Sequence, residues 1–130
     1  KNGSILFAGG ADSSMKNYAK YGEIFDIKNG EFAPTNELKV KRINSRATLM
    51  KNRKVLITGG EYRQDKKQKY LSSAEVFNPK NNKFKRIFNM NEKRCWHTST
   101  LLNNGKVLIV GGINNSDYVK DAELFLPVSK

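Results

Sequence analysis

The chain has too few of the residues from which most catalytic and metal sites are built. Its 130 residues include one histidine, His97, and one cysteine, Cys95. One imidazole and one thiol cannot assemble a His/Cys metal cluster, and a single cysteine cannot form an internal disulfide. No Ser/His/Asp arrangement is signalled either. The sequence therefore predicts no catalytic residue, no metal and no cofactor.

Long apolar runs and acidic residues are also scarce. No run of about 18 apolar residues is present, so no transmembrane segment is predicted. Lysine and arginine together number 24 against 12 acidic residues, a net charge of +12. Lysines dominate and are spread along the chain, whereas nucleic-acid sites concentrate cations with stacking aromatics. The composition disfavours specific nucleic-acid binding and leaves two interpretations, a solvated basic surface or an anionic partner.

A repeated apolar segment ending in two glycines organises the sequence. KVLITGG at 54–60 returns as KVLIVGG at 106–112, and SILFAGG stands at 4–10. Aligned positions around these segments coincide at one offset of 52 residues, for example Glu23 with Glu75 and Phe25 with Phe77. A period near 50 residues with one glycine pair per unit is typical of β-propeller blades. The residues assigned structural roles are Gly9, Gly10, Gly59, Gly60, Gly111, Gly112, Glu23, Glu75 and Glu123.

Each unit is predicted to contain four short strands, A to D. Strand A is 46–50 or 97–102, and strand B is the apolar run into the glycine pair. Strand C is 22–26, 74–78 or 122–126, and a short strand D surrounds Phe32 or Phe84. Asn103-Asn104-Gly105 predicts a type I′ turn between strands A and B. No segment is long and periodic enough for a helix, so we expect an all-β fold.

These features resemble the kelch family over nearly the whole chain. SAEVFNP at 73–79 is similar to the subgroup found in bacterial kelch proteins and galactose-oxidase-like propellers. Phe32 and Phe84 stand where the family often has tryptophan. The resemblance implies four-stranded antiparallel blades, and similarity to bacterial kelch proteins favours an extracytoplasmic or cell-surface location.

The strand pattern divides residues 1–130, one partial propeller domain, into three blades. They are a first blade with strands B-C-D at about 3–36, a second with A-B-C-D at about 42–88, and a third with A-B-C at about 94–128. Propellers usually have four to eight blades. We therefore expect an incomplete ring, completed by remaining blades of the same propeller or by further copies of the chain.

Periodic arginines permit two interpretations. Arg42 follows Glu23 by 19 residues, and Arg94 follows Glu75 by the same number. One interpretation is an ion pair between blades, which would fix their register. The other comes from the kelch resemblance: loops B–C and D–A form one rim, where an arginine near strand A can grip a partner's carboxylate.

The rim supplies the candidate binding residues. Loops B–C at 11–21, 61–72 and 113–121 hold all five tyrosines, and Asn44 and Trp96 occupy equivalent positions two residues after the arginines. Tyrosine and tryptophan on loops are typical interface anchors. The predicted binding set is Arg42, Asn44, Arg94, Trp96, Tyr18, Tyr62, Tyr70 and Tyr118.

Two functions remain open from sequence. The first is a non-catalytic interaction module that binds a protein or glycan partner, whose acidity would match the basic charge. The second is part of a propeller enzyme, carbohydrate-active or oxidase-like, whose catalytic residues lie outside this chain. Oxidase chemistry of the galactose-oxidase kind is disfavoured because strand C carries Phe25, Phe77 and Phe125 and no phenol.

Overall fold

The structure, a computed structural model, describes residues 3–115 and 117–127. Over these residues the chain forms strands and turns and no helix, so no described helix could cross a membrane. The strands are β1 (Ile5–Phe7), β2 (Tyr21–Asp26), β3 (Glu31–Glu37), β4 (Arg46–Leu49), β5 (Val55–Thr58), β6 (Glu61–Gln64), β7 (Lys67–Tyr70), β8 (Ser73–Asn78), β9 (Lys83–Asn89), β10 (Thr98–Leu101), β11 (Val107–Val110), β12 (Ile113–Asn114), β13 (Asp117–Tyr118) and β14 (Ala122–Phe125).

Ten of the described strands form three antiparallel sheets. The N-terminal sheet has the order β1-β2-β3, the central sheet β4-β5-β8-β9, and the C-terminal sheet β10-β11-β14. The other four strands pair as two small hairpins, β6–β7 and β12–β13. Within each sheet, consecutive strands are neighbours and antiparallel, as in kelch-type blades. The all-β fold predicted from the sequence is confirmed.

The core lies between consecutive sheets. One buried cluster, containing Ile57 and Phe77 of the central sheet, packs against Leu6 and Ile24 of the N-terminal sheet. The second joins the central and C-terminal sheets through Leu56, Met50, Met90, Val107, Ile109 and Phe125. Alternate residues of β5 therefore face opposite neighbours, since successive side chains of a strand point to opposite faces. This packing makes the central sheet the buried layer of the three.

The aromatic residues of strands C and D pair across neighbouring strands. Phe77 lies opposite Phe84, with ring centroids 4.8 Å apart, and both rings are buried. The equivalent Phe25 and Phe32 rings are 4.7 Å apart, but Phe32 is 60% exposed. The difference follows from position, because the N-terminal sheet is packed on one side only among the described residues.

Three local expectations need correction. The turn at 103–105 is not type I′, because only Gly105 has positive φ (84°); Gly105 N donates to Leu102 O, a type I turn closed by a left-handed glycine. Strand D is longer than expected, seven residues in both β3 and β9. Two of the predicted loops are hairpins, and the β6–β7 turn places Asp65 and Lys66 at φ of 50° and 61°.

Candidate functional site

The connections β1–β2, β5–β8 and β11–β14 lie at one end of the three sheets. Strands β1, β5 and β11 each lead into a glycine pair, and the next strand of the sheet starts from the same end because the pairing is antiparallel. The segments before β4 and β10 reach this end too, through the backbone bridges Ile43↔Glu61 and Cys95↔Ile113. We call this surface the loop rim; it comprises residues 11–18, 41–45, 61–70, 93–97, 113–115 and 117–118.

Two of the predicted tyrosines contact each other on the loop rim. The Tyr18 and Tyr62 rings meet edge to face, with centroids 6.4 Å apart. The Tyr18 hydroxyl accepts a 2.6 Å hydrogen bond from the backbone N–H of Arg63. Lys41 Nζ lies 5.3 Å from the Tyr18 centroid and 4.8 Å from that of Tyr62, within cation–π range of both. This cluster joins the loops of the N-terminal and central sheets.

Asn44 and Trp96 form a second contact between neighbouring loops. The backbone N–H of Trp96 donates to the backbone carbonyl oxygen of Asn44 at 3.1 Å, and Asn44 Nδ2 donates to Glu61 Oε1 at 2.6 Å. Both residues adopt the left-handed backbone conformation, with φ of 53° for Asn44 and 58° for Trp96. Asparagine tolerates this conformation, whereas a bulky residue there is strained. Trp96 is nevertheless 57% exposed, so the strain holds an indole toward solvent without a burial gain that would compensate for it.

The last two tyrosines differ in environment. Tyr118 on β13 is 83% exposed and pairs with Ile113, which bridges to Cys95, the neighbour of Trp96. Tyr70 is half-buried and pairs with Glu61 at the base of the β6–β7 hairpin. The sequence-predicted aromatic residues thus lie along one end, with Tyr118 and Trp96 the most accessible.

Arg42 is buried inside the central sheet and does not reach the loop rim as a free cation. Its Nη2 donates to Glu75 Oε1 at 2.7 Å, and its Nη1 donates to the backbone oxygens of Gly59 at 2.6 Å and Ser73 at 3.1 Å. The side chains of Arg42 and Glu75 are fully buried. The terminal nitrogens of the Arg42 guanidinium therefore all bind acceptors of the central sheet.

Arg94 repeats the arrangement in the C-terminal sheet. Its Nη2 donates to Glu123 Oε1 at 2.7 Å, and its Nη1 donates to Gly111 O at 2.9 Å and Asp121 O at 3.0 Å. The Arg94 side chain is fully buried and that of Glu123 is 14% exposed. We refer to each such arginine–glutamate unit as an arginine clasp.

Each clasp also connects two sheets through the arginine backbone. Gly10 N donates to Arg42 O at 3.0 Å, and Gly60 N donates to Arg94 O at 2.8 Å. Each arginine therefore binds the glutamate of its own sheet through its side chain and the glycine pair of the preceding sheet through its carbonyl. The clasp fixes the register of consecutive sheets.

The structure corrects the sequence interpretation of these arginines. Their ion-pair partners are Glu75 and Glu123, 33 and 29 residues ahead, rather than the glutamates 19 residues behind. Both guanidinium groups are buried and their terminal nitrogens bind acceptors of their own sheets, while Arg94 Nε has no hydrogen-bond partner. Neither arginine therefore offers an exposed fork to a partner's carboxylate. Lys41 and Glu61 also lie at the loop rim and were not among the residues predicted from the sequence. Neither carries a signal that distinguishes it from the other charged residues of the chain.

The two titratable groups beneath the loop rim, His97 and Cys95, are buried and uncharged. Burial, with the positive charges of Arg94 and Arg46, lowers the pKa of His97 to about 4, so the ring is neutral and its Nε2 bonds Thr58 Oγ1 at 2.8 Å. Burial and the Glu61 carboxylate raise the pKa of Cys95 to about 12, which leaves a protonated and unreactive thiol. Among residues 3–115 and 117–127, no three His, Cys, Asp or Glu side chains could hold a metal ion.

Comparisons with known proteins agree with this architecture. Residues 45–91 match the Kelch motif, a span that coincides with the central sheet and its inserted hairpin. The chain is also similar to Kelch-like protein 38 of Danio rerio, with 25% identity over 126 residues, 95% of this chain and 20% of the relative. The chain thus spans about a fifth of the length of that relative. Together these findings support a kelch-repeat protein.

Proposed function

We propose that the chain is a non-catalytic interaction module that binds a protein partner through the loop rim. The observation that carries this proposal is the conformation of Trp96, an exposed indole on a left-handed backbone. Strained residues persist where the surrounding structure determines them, and they cluster at ligand-binding positions. The kelch likeness supports the same class of function, since protein binding is the common role of these repeats.

The side chains of the loop rim suit a protein partner. Trp96 and Tyr118 offer large amphipathic surfaces, the residue types that contribute most to interface affinity. They stand on short hairpins and backbone bridges, so little conformational entropy is lost on binding. Lys41, with its ammonium over two tyrosine rings, adds a fixed positive charge.

Charge favours an acidic partner over a neutral one. The β6–β7 hairpin presents exposed cations beside the aromatic cluster, and the whole chain carries +12. Such a field accelerates association with anionic surfaces and makes binding sensitive to salt. The proposed partner is therefore a protein segment with aromatic or aliphatic anchors and nearby carboxylates.

A displayed library of random peptides, selected against the full chain, tests this function. We expect enrichment of acidic peptides whose binding, followed by fluorescence anisotropy, weakens at least tenfold in Trp96→Asn. Asparagine is the matched replacement because Asn44 already occupies the equivalent left-handed position, so the backbone is kept. Leu49→Ala is the control, since Leu49 is 63% exposed at the opposite end of β4.

Three outcomes would contradict the proposal. They are a selection without Trp96-dependent peptides, equal weakening by Leu49→Ala, and tight binding of a sulfated polysaccharide with no peptide enriched. The last outcome would assign the rim to a glycan.

A further inference from the structure

A cleft lined by lysines opens beside the loop rim, between the loop that precedes β2 and the segment that joins β3 to β4. Its volume is about 450 Å³, which lies within the range of small-ligand sites. The side chains that decide its chemistry are Lys16, Lys20, Lys39, Lys41, Tyr18 and Glu37. The cleft therefore brings together four cations from two separate segments of the chain.

The charged groups of the cleft leave it with an excess of positive charge. Its four lysines face one carboxylate, that of Glu37, and Lys20 Nζ binds Glu37 Oε1 at 3.2 Å. Within residues 3–115 and 117–127 the other three lysines form no ion pair. Ammonium groups around one cleft repel each other, so an anion placed among them would be attracted by all three.

Lys41 and Tyr18 give the cleft one wall that is already in place. Lys41 Nζ lies 5.3 Å from the Tyr18 ring centroid, and the Tyr18 hydroxyl accepts a hydrogen bond from the backbone N–H of Arg63. Both side chains thus have a defined position before any ligand arrives. A site that is positioned in advance loses little conformational entropy on binding.

The equivalent junction between the central and C-terminal sheets does not carry the same cations. At the cleft, Leu38 N donates to the carbonyl oxygen of Lys20 at 3.0 Å. At the other junction, Met90 N donates to the carbonyl oxygen of Ser72 at 2.8 Å. The matching backbone bonds show that a serine occupies the position of Lys20.

A second lysine of the cleft is also replaced at that junction. Lys39 N donates to Glu75 Oε2 at 2.8 Å, and Asn91 N donates to Glu123 Oε2 at 2.7 Å. Asparagine therefore occupies the position of Lys39 in the same backbone arrangement. Because serine and asparagine serve the fold equally well, the two lysines of the cleft are not required by the packing of one sheet against the next.

The type of cation indicates which anion the cleft suits. In this chain the arginine clasps bind carboxylates through planar guanidinium groups. The cleft instead presents lysines, which bind phosphate as compact point charges. A phosphate monoester carries a charge of about −1.5 to −2 at pH 7, more than the single negative charge of a carboxylate. A phosphate therefore matches the three unpaired lysines better than a carboxylate does.

We propose that this cleft binds a phosphate monoester, carried on a phosphorylated side chain of the protein partner. The inference rests on the proposed function and names the chemistry of the partner. Tyr18 and Lys41 belong to both the cleft and the loop rim. A segment seated on the loop rim can therefore place a phosphorylated side chain in the cleft.

Titration of the full, ¹⁵N-labelled chain with N-acetyl-phosphotyrosine amide tests the proposal. We expect amide shift changes concentrated at residues 16–20 and 39–41. The phosphorylated probe should bind at least tenfold more tightly than N-acetyl-tyrosine amide. It should also bind at least threefold more tightly than the sulfotyrosine analogue, which has a similar shape and a single negative charge.

Two double variants with the same loss of charge make the test specific. Lys20→Ser with Lys39→Asn installs the residues of the equivalent junction, so the fold is kept, and we expect binding of the phosphorylated probe at least tenfold weaker. Lys80→Ser with Lys83→Asn is the control, because both lysines are exposed on the β8–β9 hairpin turn, away from the cleft. This control should bind the probe as the unmodified chain does.

The proposal is overturned if the phosphorylated probe does not bind, if the sulfotyrosine analogue binds equally well, or if both double variants weaken binding equally. Trp96→Asn should leave binding of the probe unchanged, because Trp96 does not line the cleft. A display selection without Trp96-dependent peptides would thus contradict the proposed function of the loop rim, whereas loss of probe binding alone would contradict the phosphate site.

Discussion

Replacing Glu75 by glutamine should destabilise the chain far more than the same change at Glu23. Glu75 is fully buried and binds the fully buried Arg42 guanidinium at 2.7 Å, and it also accepts from two backbone N–H groups. Glutamine keeps the volume but removes the negative charge and turns an amide toward the guanidinium. A buried charge left without its counterion costs about 3–5 kcal/mol.

The position of Glu23 makes it the internal control. It occupies the equivalent site, is exposed, and has no ion-pair partner among the described residues, so Glu23→Gln should change stability by less than about 0.5 kcal/mol. The assay is urea unfolding of both variants, with the midpoint and slope fitted together. Because a domain's total stability is roughly 5–15 kcal/mol, a loss near 4 kcal/mol shifts the midpoint markedly. Equal losses for Glu75→Gln and Glu23→Gln would refute the clasp as the element that locks the sheets.

Three further predictions concern the rim and its support. Gly59→Ala should destabilise more than Gly30→Ala in thermal unfolding; both glycines have positive φ, but a methyl group on Gly59 would overlap the Arg94 carbonyl oxygen, whereas Gly30 has open space. A similar loss of stability in both variants would contradict this prediction, because positive φ alone would then account for the cost of the methyl group. Trp96→Asn should raise the free energy of unfolding by about 1 kcal/mol through relief of left-handed strain; reduced stability in urea titration would mean that the indole packs productively. The pKa of His97 is lowered to about 4 by burial, while its unfolded value is near 6.5. Between these values the unfolded state binds the extra proton, so stability should fall by on the order of 3 kcal/mol as the pH drops from 6.5 to 4; an equally steep fall in His97→Gln would contradict this assignment.

Strand positions could be predicted because the glycine pairs and their apolar runs are strong local signals. The runs at 54–60 and 106–112 contain β5 and β11, which end directly before the glycine pairs, and AEVFN at 74–78 lies within β8. In β5 and β8 the apolar runs reflect burial on both faces, whereas in β11 Val107 and Ile109 are buried and alternate with more exposed residues.

The arginine partners could not be predicted, because spacing along the chain does not report which glutamate shares a sheet with Arg42. Glu23 and Glu75 are both plausible by offset, and only the folded register shows that strand β8 presents Glu75 beside it. Lys41 and Glu61 of the loop rim could not be predicted from the sequence for the same reason. Their roles arise from contacts across loops of different length, which carry no periodic signal.

The turn at 103–105 shows a further limit. Asparagine and glycine favour positive φ, but a hairpin with three connecting residues needs only one left-handed position, and Gly105 supplies it. In the equivalent β4–β5 turn Arg53 takes this conformation, with φ of 63°. Strand pairing sets the length of this loop. The loop length, rather than the preference of asparagine and glycine for positive φ, therefore determines the turn type.

The most direct test of the loop rim as the partner-binding surface is an NMR titration of the ¹⁵N-labelled chain with the peptide obtained from the display selection. We expect the amide shift changes to concentrate at five residues of the loop rim, Tyr18, Lys41, Tyr62, Trp96 and Tyr118, and we expect the peptide to bind more weakly at higher salt. Changes confined to the exposed edge of β1, or to the groove lined by Phe88, Leu124 and Leu126, would contradict this prediction.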